Sequence, residues 1–172
     1  MQNLIIRITQ ENTSLISAPQ IGCFILPESL SPKFIQEFII KAQNTDKLVL
    51  MEGKNALDSY LKYKPDGMII NTIEQENPAK IIKEIQKKAK GAITGVICRN
   101  RRHEAMLISE CEPDFIIFKV WQDGFDHNAE LINWYSDFFL IQCAAQIEDD
   151  IDFSKLKSDF VILSDTQFSA LK

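Results

Sequence analysis

Three segments of the chain open on an aspartate and run straight into apolar residues. Asp66 leads Gly67-Met68-Ile69-Ile70, Asp114 leads Phe115-Ile116-Ile117-Phe118, and Asp159 leads Phe160-Val161-Ile162-Leu163, at spacings of 48 and 45 residues. Unbroken apolar runs of this length fit strands buried on both faces, as in a parallel sheet covered by helices. One aspartate before a strand means little, because aspartate suits any such loop. Three at even spacing, each about two strand-helix units apart, point to a barrel built from like quarters.

The rest of the chain alternates in the same way. Leu4 to Ile8, Ile21 to Leu26, Leu48 to Met51, Ile93 to Cys98 and Phe139 to Ala145 read as further strands, which makes eight with the three above. Ser31-Pro32 opens a helix, since serine caps well and proline is tolerated at the first helical position; Phe34, Ile35, Phe38, Ile39 and Ala42 supply its apolar stripe. Ala56, Leu57, Tyr60 and Leu61 form a short helix, and Asn77-Pro78 starts another that carries Ile81, Ile82 and Ile85 on one face. Asn100 reads as the cap of a helix through Ala105, Met106 and Ile108, and Ala129 to Tyr135 as the next helix. Little room is left for a helix between the first two strands, Phe153 to Leu156 gives a turn or two, and the tail after Ser164 at best two turns. The expected architecture over residues 1–172 is therefore one α/β domain, a TIM-type (β/α)8 barrel that is shortened and has reduced first and last helices. Eight-fold barrels ordinarily start near ~200 residues, so an open doubly wound parallel sheet is the structural alternative.

Composition narrows the function. The 172 residues are 45% hydrophobic, enough for a single domain with its own core. A net charge of -5 argues against a general nucleic-acid or anionic-membrane binder, which needs a basic face. No apolar run approaches the roughly 20 residues that span a bilayer, and the start of the chain has neither a basic n-region nor a long apolar h-region. A cytoplasmic location is expected. Cys23, Cys98, Cys111 and Cys143 form no CxxC pair and the only histidines are His103 and His127, so zinc is not expected and the thiols read as free and reduced.

In either architecture ligands bind at the carboxyl ends of the strands. Those ends supply a candidate pocket of Glu52, Asn71, Thr72, Cys98, Trp121 and Ser164. Lys119 follows Phe118 in the strand's alternation and so faces the opposite way, toward the barrel mouth. With Gln146 and Arg99 it forms the candidate phosphate-binding set, because these side chains can donate to phosphate oxygens. Cys98 as a nucleophile lacks a base, His103 being five residues further on along a helix. No GxGxxG loop speaks for a Rossmann site.

Several of these stretches resemble the thiamine-phosphate synthase and TenI family. The family's fourth strand reads like DG-V-H-L-G-Q-x-D, and here Asp66-Gly67-Met68-Ile69-Ile70-Asn71-Thr72-Ile73-Glu74 stands in its place. Its fifth unit, G-V-S-x-H-S followed by G-A-D-Y, is matched by Val96-Ile97-Cys98-Arg99-Asn100-Arg101 and Glu112-Pro113-Asp114-Phe115. Lys119-Val120, Ala144-Ala145-Gln146-Ile147 and Ser158 through Ser164 stand at the later strands, so the resemblance spans Leu48 to Phe168. It implies a barrel linked to thiamine biosynthesis. The family reaction is a transferase reaction that joins an aminopyrimidine diphosphate to a thiazole phosphate, with magnesium and loss of pyrophosphate.

This sequence departs from that apparatus. Ala145-Gln146 replaces the glycine pair after the seventh strand, Lys119 the glycine after the sixth, and Glu52-Gly53-Lys54 the Asn-Asp metal pair after the third. Glu74 alone keeps a carboxylate where the resemblance places a metal ligand. The expectation is a divergent family member with weak or lost synthase activity and retained phosphate-ligand binding, a narrow or plugged mouth, and no cofactor; magnesium is expected if the reaction is retained. One alternative is an active enzyme in which side chains replace the glycines. Another is a non-catalytic interaction protein with a flavodoxin-like open sheet and an exposed apolar patch around Phe125, Trp134, Tyr135 and Phe138. The expected partner is a small phosphorylated ligand, with a homodimer left open, and neither nucleic acid nor membrane.

Overall fold

The eight apolar runs pair in chain order into one closed sheet. A computed structural model describes residues 3–171; Met1, Gln2 and Lys172, part of the terminal readings above, lie outside them. The strands are β1 (Asn3–Arg7), β2 (Ile21–Pro27), β3 (Leu48–Glu52), β4 (Gly67–Asn71), β5 (Ile93–Ile97), β6 (Phe115–Val120), β7 (Gln142–Ile147) and β8 (Phe160–Ser164). All neighbours are parallel, and β1 pairs with β8 to close the ring. The open-sheet alternative is thereby overturned: β1, the natural edge of such a sheet, is paired along both sides.

The helices are α1 (Pro32–Gln43), α2 (Ala56–Tyr63), α3 (Pro78–Lys88), α4 (Arg102–Ser109), α5 (Phe125–Phe138) and α6 (Asp165–Ala170). Single 3-10 turns at Ser14–Ser17 and Phe153–Lys155 stand where β1–β2 and β7–β8 would otherwise carry helices. The chain thus shortens the barrel at its seam. The Ser31 hydroxyl accepts from the Phe34 amide and the Asn77 side chain from the Lys80 amide, as their positions before Pro32 and Pro78 predict.

The three leading aspartates share one task. Asp66 accepts from the Val49 amide (2.8 Å), Asp114 from the Thr94 amide (2.7 Å) and Asp159 from the Cys143 amide (2.9 Å). Each aspartate's own amide donates back to the carbonyl of that same residue, at 2.9, 3.0 and 3.0 Å. Every aspartate before an even strand therefore clamps the start of the preceding odd strand and fixes the register there.

Two apolar shells follow from the strands' period of two. Ile5, Ile25, Leu50, Ile69, Ile97, Ile117, Ala144 and Ile162 point inward and fill the barrel, with Phe115 and Phe160 packed below them at 5.9 Å between rings. The opposite faces, such as Ile116, Phe118 and Val120 of β6, pack against the helices. The barrel interior is solid core, as in other barrels of this size.

Two local expectations need correction. Asn100 does not cap α4, whose N-cap is Arg101 with no side-chain bond. Its amide instead donates to the Lys119 carbonyl (2.8 Å) and to Asn128 Oδ1 (2.7 Å), tying three elements together. Phe139 does not begin β7. The Phe139 amide still bonds the Tyr135 carbonyl and its ring stacks on Tyr135 at 4.6 Å, so the apolar run Phe138 to Ile141 joins helix and strand rather than belonging to the strand.

Candidate functional site at the barrel mouth

The inward phase of the strands brings Arg7 (β1), Glu52 (β3), Asn71 (β4), Lys119 (β6), Gln146 (β7) and Ser164 (β8) toward the carboxyl-terminal mouth. Two depressions open there. One of about 300 Å³ is lined by Arg7, Gln146, Glu148, Ser164, Thr166 and Gln167 among others. The other, about 1120 Å³, takes in Arg7, Glu52, Asn71, Glu74 and Lys119. Arg7 borders both. The mouth is crossed by side chains but not plugged.

Ion pairs organise it. Arg7 Nε donates to Glu52 Oε2 at 2.6 Å, joining β1 to β3. Lys119 Nζ lies 4.0 Å from Glu148 Oε1, and the same oxygen accepts from Gln146 Nε2 at 2.6 Å. Lys119 is thus the more loosely held cation, and its alternation with buried Phe118 is as the sequence predicts. Glu28 is taken up elsewhere: it accepts from the Asn55 amide (3.1 Å) and the Ser59 hydroxyl (3.4 Å) at the start of α2. Gly53, at φ 152°, makes room for it, since a Cβ there would sit 2.1 Å from Glu28 Cδ.

The β7–β8 side is where barrels of this class often place a phosphate, on loops and a short helix start. Here that position is filled from within. Ser164 and Gln167 form a reciprocal capping box at α6, and Gln167 Nε2 also donates to the Ile147 carbonyl (3.0 Å). Asp165 adds a carboxylate, which accepts from the Thr9 and Gln10 amides at 2.9 and 3.2 Å. The local donors already have partners, and a negative group stands beside them.

Other candidates fall outside the mouth. Thr72 is fully buried, its hydroxyl donating to the Ile97 carbonyl at 2.8 Å, so its role is to tie the β4 end to β5. Cys98 lies in the outer shell between sheet and helices, where burial and the nearby Glu104 push its thiol pKa up. Arg99 pairs with Glu104 at 2.9 Å and borders neither depression. Trp121 is exposed and also lines neither. In the anticipated apolar patch, Tyr135 is core, with its hydroxyl bonded to Ser109 at 2.7 Å, and only Phe138 is widely exposed.

The two ion-paired residues Arg7 and Glu148 are not among the sequence candidates. Arg7 is the last residue of β1, which the apolar run to Ile8 conceals, although counting in twos from Ile5 reaches it. Glu148 lies one residue past β7.

The mouth does not suit magnesium. Glu74 is exposed, Glu52 is committed to Arg7, and among the described residues no three His, Cys, Asp or Glu side chains gather as a metal group. All four cysteines are free, and burial raises the Cys23 and Cys143 thiols to about 12, which leaves them protonated and unreactive at neutral pH.

Fold and mouth together define a closed parallel (β/α)8 barrel with a polar, ion-paired carboxyl face. No family model and no curated protein matches the chain. Among solved structures it resembles citrate synthase SbnG at 14% identity and a TM-score of 0.66, over 99% of this chain and 89% of that one. A point variant of the same enzyme matches at 13% identity and a TM-score of 0.65, with the same coverage. At this identity the likeness establishes the barrel and carries no chemistry. Among the described residues no helix is long and apolar enough to cross a membrane.

Proposed function

We propose that the chain is a divergent barrel of the thiamine-phosphate-synthase and TenI type that has lost the transferase reaction and keeps a mouth for a small phosphorylated ligand. The observation that carries this reading is Lys119: a cation turned inward at the mouth, whose partner carboxylate is 4.0 Å away and shared with Gln146. A charge so placed is not core filling, and an incoming phosphate offers it a closer partner than Glu148. Loss of the transferase reaction is supported by the absence of a magnesium group among the described residues and by the capping box and Asp165 in the β7–β8 position. The active-synthase alternative would need carboxylates to gather on a metal, and the carboxylates that share the larger depression with Glu74 do not converge as such a group among the described residues.

The test uses the purified protein with both synthase substrates and magnesium, followed by calorimetry with thiazole phosphate and thiamine phosphate. No product is expected, and at least one phosphate ester binds, with affinity falling about tenfold or more in Lys119→Ala, the scale of a lost charge-assisted contact. Turnover overturns the silent-enzyme reading. Failure of every phosphate to bind overturns the ligand reading.

A further inference from the structure

We infer that the mouth continues into an apolar slot between α2 and α3, and that its ligand is an amphipathic phosphate monoester whose head lies at Arg7 and Lys119 and whose hydrocarbon part enters the slot. This rests on the reading of the mouth as a phosphate site and adds to it a tail, a direction and a second cation. The helix ring is uneven: α1 packs on α2, α3 on α4 and α4 on α5, whereas α2 and α3 approach each other less closely than these pairs do. The larger depression runs into that gap. Its lining includes Leu57 of α2, Ile81 and Ile85 of α3, and Ile70, which points outward from β4. Ile81 and Ile85 are four apart, so they stand on one helix face, and both are only half-buried. In a closed helix ring a neighbouring helix would cover that face.

The head position follows from unused donors. Arg7 gives only its Nε to Glu52; its two terminal nitrogens have no partner among the described residues. They border the same depression as the loosely paired Lys119. Charge alone does not make this a strong anion site, because Glu28, Glu52, Asp58 and Glu74 line it beside Arg7, Lys54 and Lys119. A bare phosphate therefore binds weakly, and the apolar wall has to supply the difference. At about 1120 Å³ the space also exceeds what a phosphate alone fills.

The experiment is calorimetry on the full chain with inorganic, methyl, butyl and hexyl phosphate. Affinity is expected to rise about threefold per added methylene, as burial of hydrocarbon predicts. Leu57→Trp and Ile85→Trp, each filling the slot from one side, should flatten the series, so that hexyl phosphate loses its advantage over methyl phosphate. Arg7→Ala should weaken every member of the series by a similar factor. A flat series in the wild-type protein, with methyl phosphate still bound, overturns the slot and leaves the mouth reading standing. Hexyl phosphate binding unchanged in both tryptophan variants also overturns it. If no phosphate ester binds at all, both readings fall together.

Discussion

At the amino-terminal end of the barrel three aspartates do one job three times, while at the carboxyl-terminal end the polar side chains that face the mouth differ from strand to strand. The lower end repeats because three of its quarters face the same problem: an amide near the start of an odd strand needs an acceptor. Asp66, Asp114 and Asp159 each solve it with a carboxylate and a returned backbone bond. The mouth faces no such common problem. Its residues end as Arg7, Glu52, Asn71, Lys119, Gln146 and Ser164, and their contacts are pairwise and partly exposed. Strand register is thus clamped by a repeated device at one end, and chemical variety is left to the other.

That division is open to direct attack, and the largest effect belongs beside one of the clamps. Gly67 follows Asp66, and a Cβ built on it would lie 2.0 Å from the Ile93 carbonyl oxygen. Because the obstacle is backbone of β5, no rotamer change relieves it, and Gly67→Ala forces two paired strands apart. A loss of about 3 kcal/mol in urea denaturation is expected, at the upper end for overpacking.

A middle-sized effect isolates the clamp itself. Asp114→Ala leaves the Thr94 amide without its acceptor, and Thr94 is almost fully buried. The expected cost in the same measurement is about 1–2 kcal/mol, the range for a buried donor left unsatisfied. Asp114→Asn keeps an acceptor oxygen and should lose less. Equal losses for the two variants would mean that charge, not the hydrogen bond, is what the clamp supplies.

These two ends also differ in how far they could be read from the sequence. The clamps were visible as the Asp-led runs, since a repeated geometric need leaves a repeated residue. The number of strands and the reduced seam helices were visible too, because strand burial writes itself as apolar runs and missing helices as missing length. Thr72 and Cys98 misled for a physical reason: just past a strand, the alternation still decides whether a side chain meets the mouth or the helix layer, and both take the outer direction. Asn100 was misread because a cap and a bridge between loops call for the same residue. The depression that Leu57, Ile81 and Ile85 share left no local signal, being a property of how two helices are placed relative to each other.

The smallest effect is expected at the mouth, and it decides whether the comparison holds. Arg7→Met removes the 2.6 Å pair with Glu52 but keeps a side chain of similar length along the strand end. Arg7 is about one-third exposed, so water replaces much of what the carboxylate loses. Such a pair is worth at most about 1 kcal/mol, and less at high salt, because exposed charges are already well solvated. The expected outcome is a urea midpoint shifted less than that of Asp114→Ala, with the Arg7→Met shift from wild type shrinking further in 1 M salt, where the Debye length falls to about 3 Å. A larger loss for Arg7→Met than for Asp114→Ala would place Arg7 among the residues that hold the barrel closed. Its unused nitrogens would then be incidental to folding rather than kept for a ligand, and the mouth would have to be regarded as a second structural end.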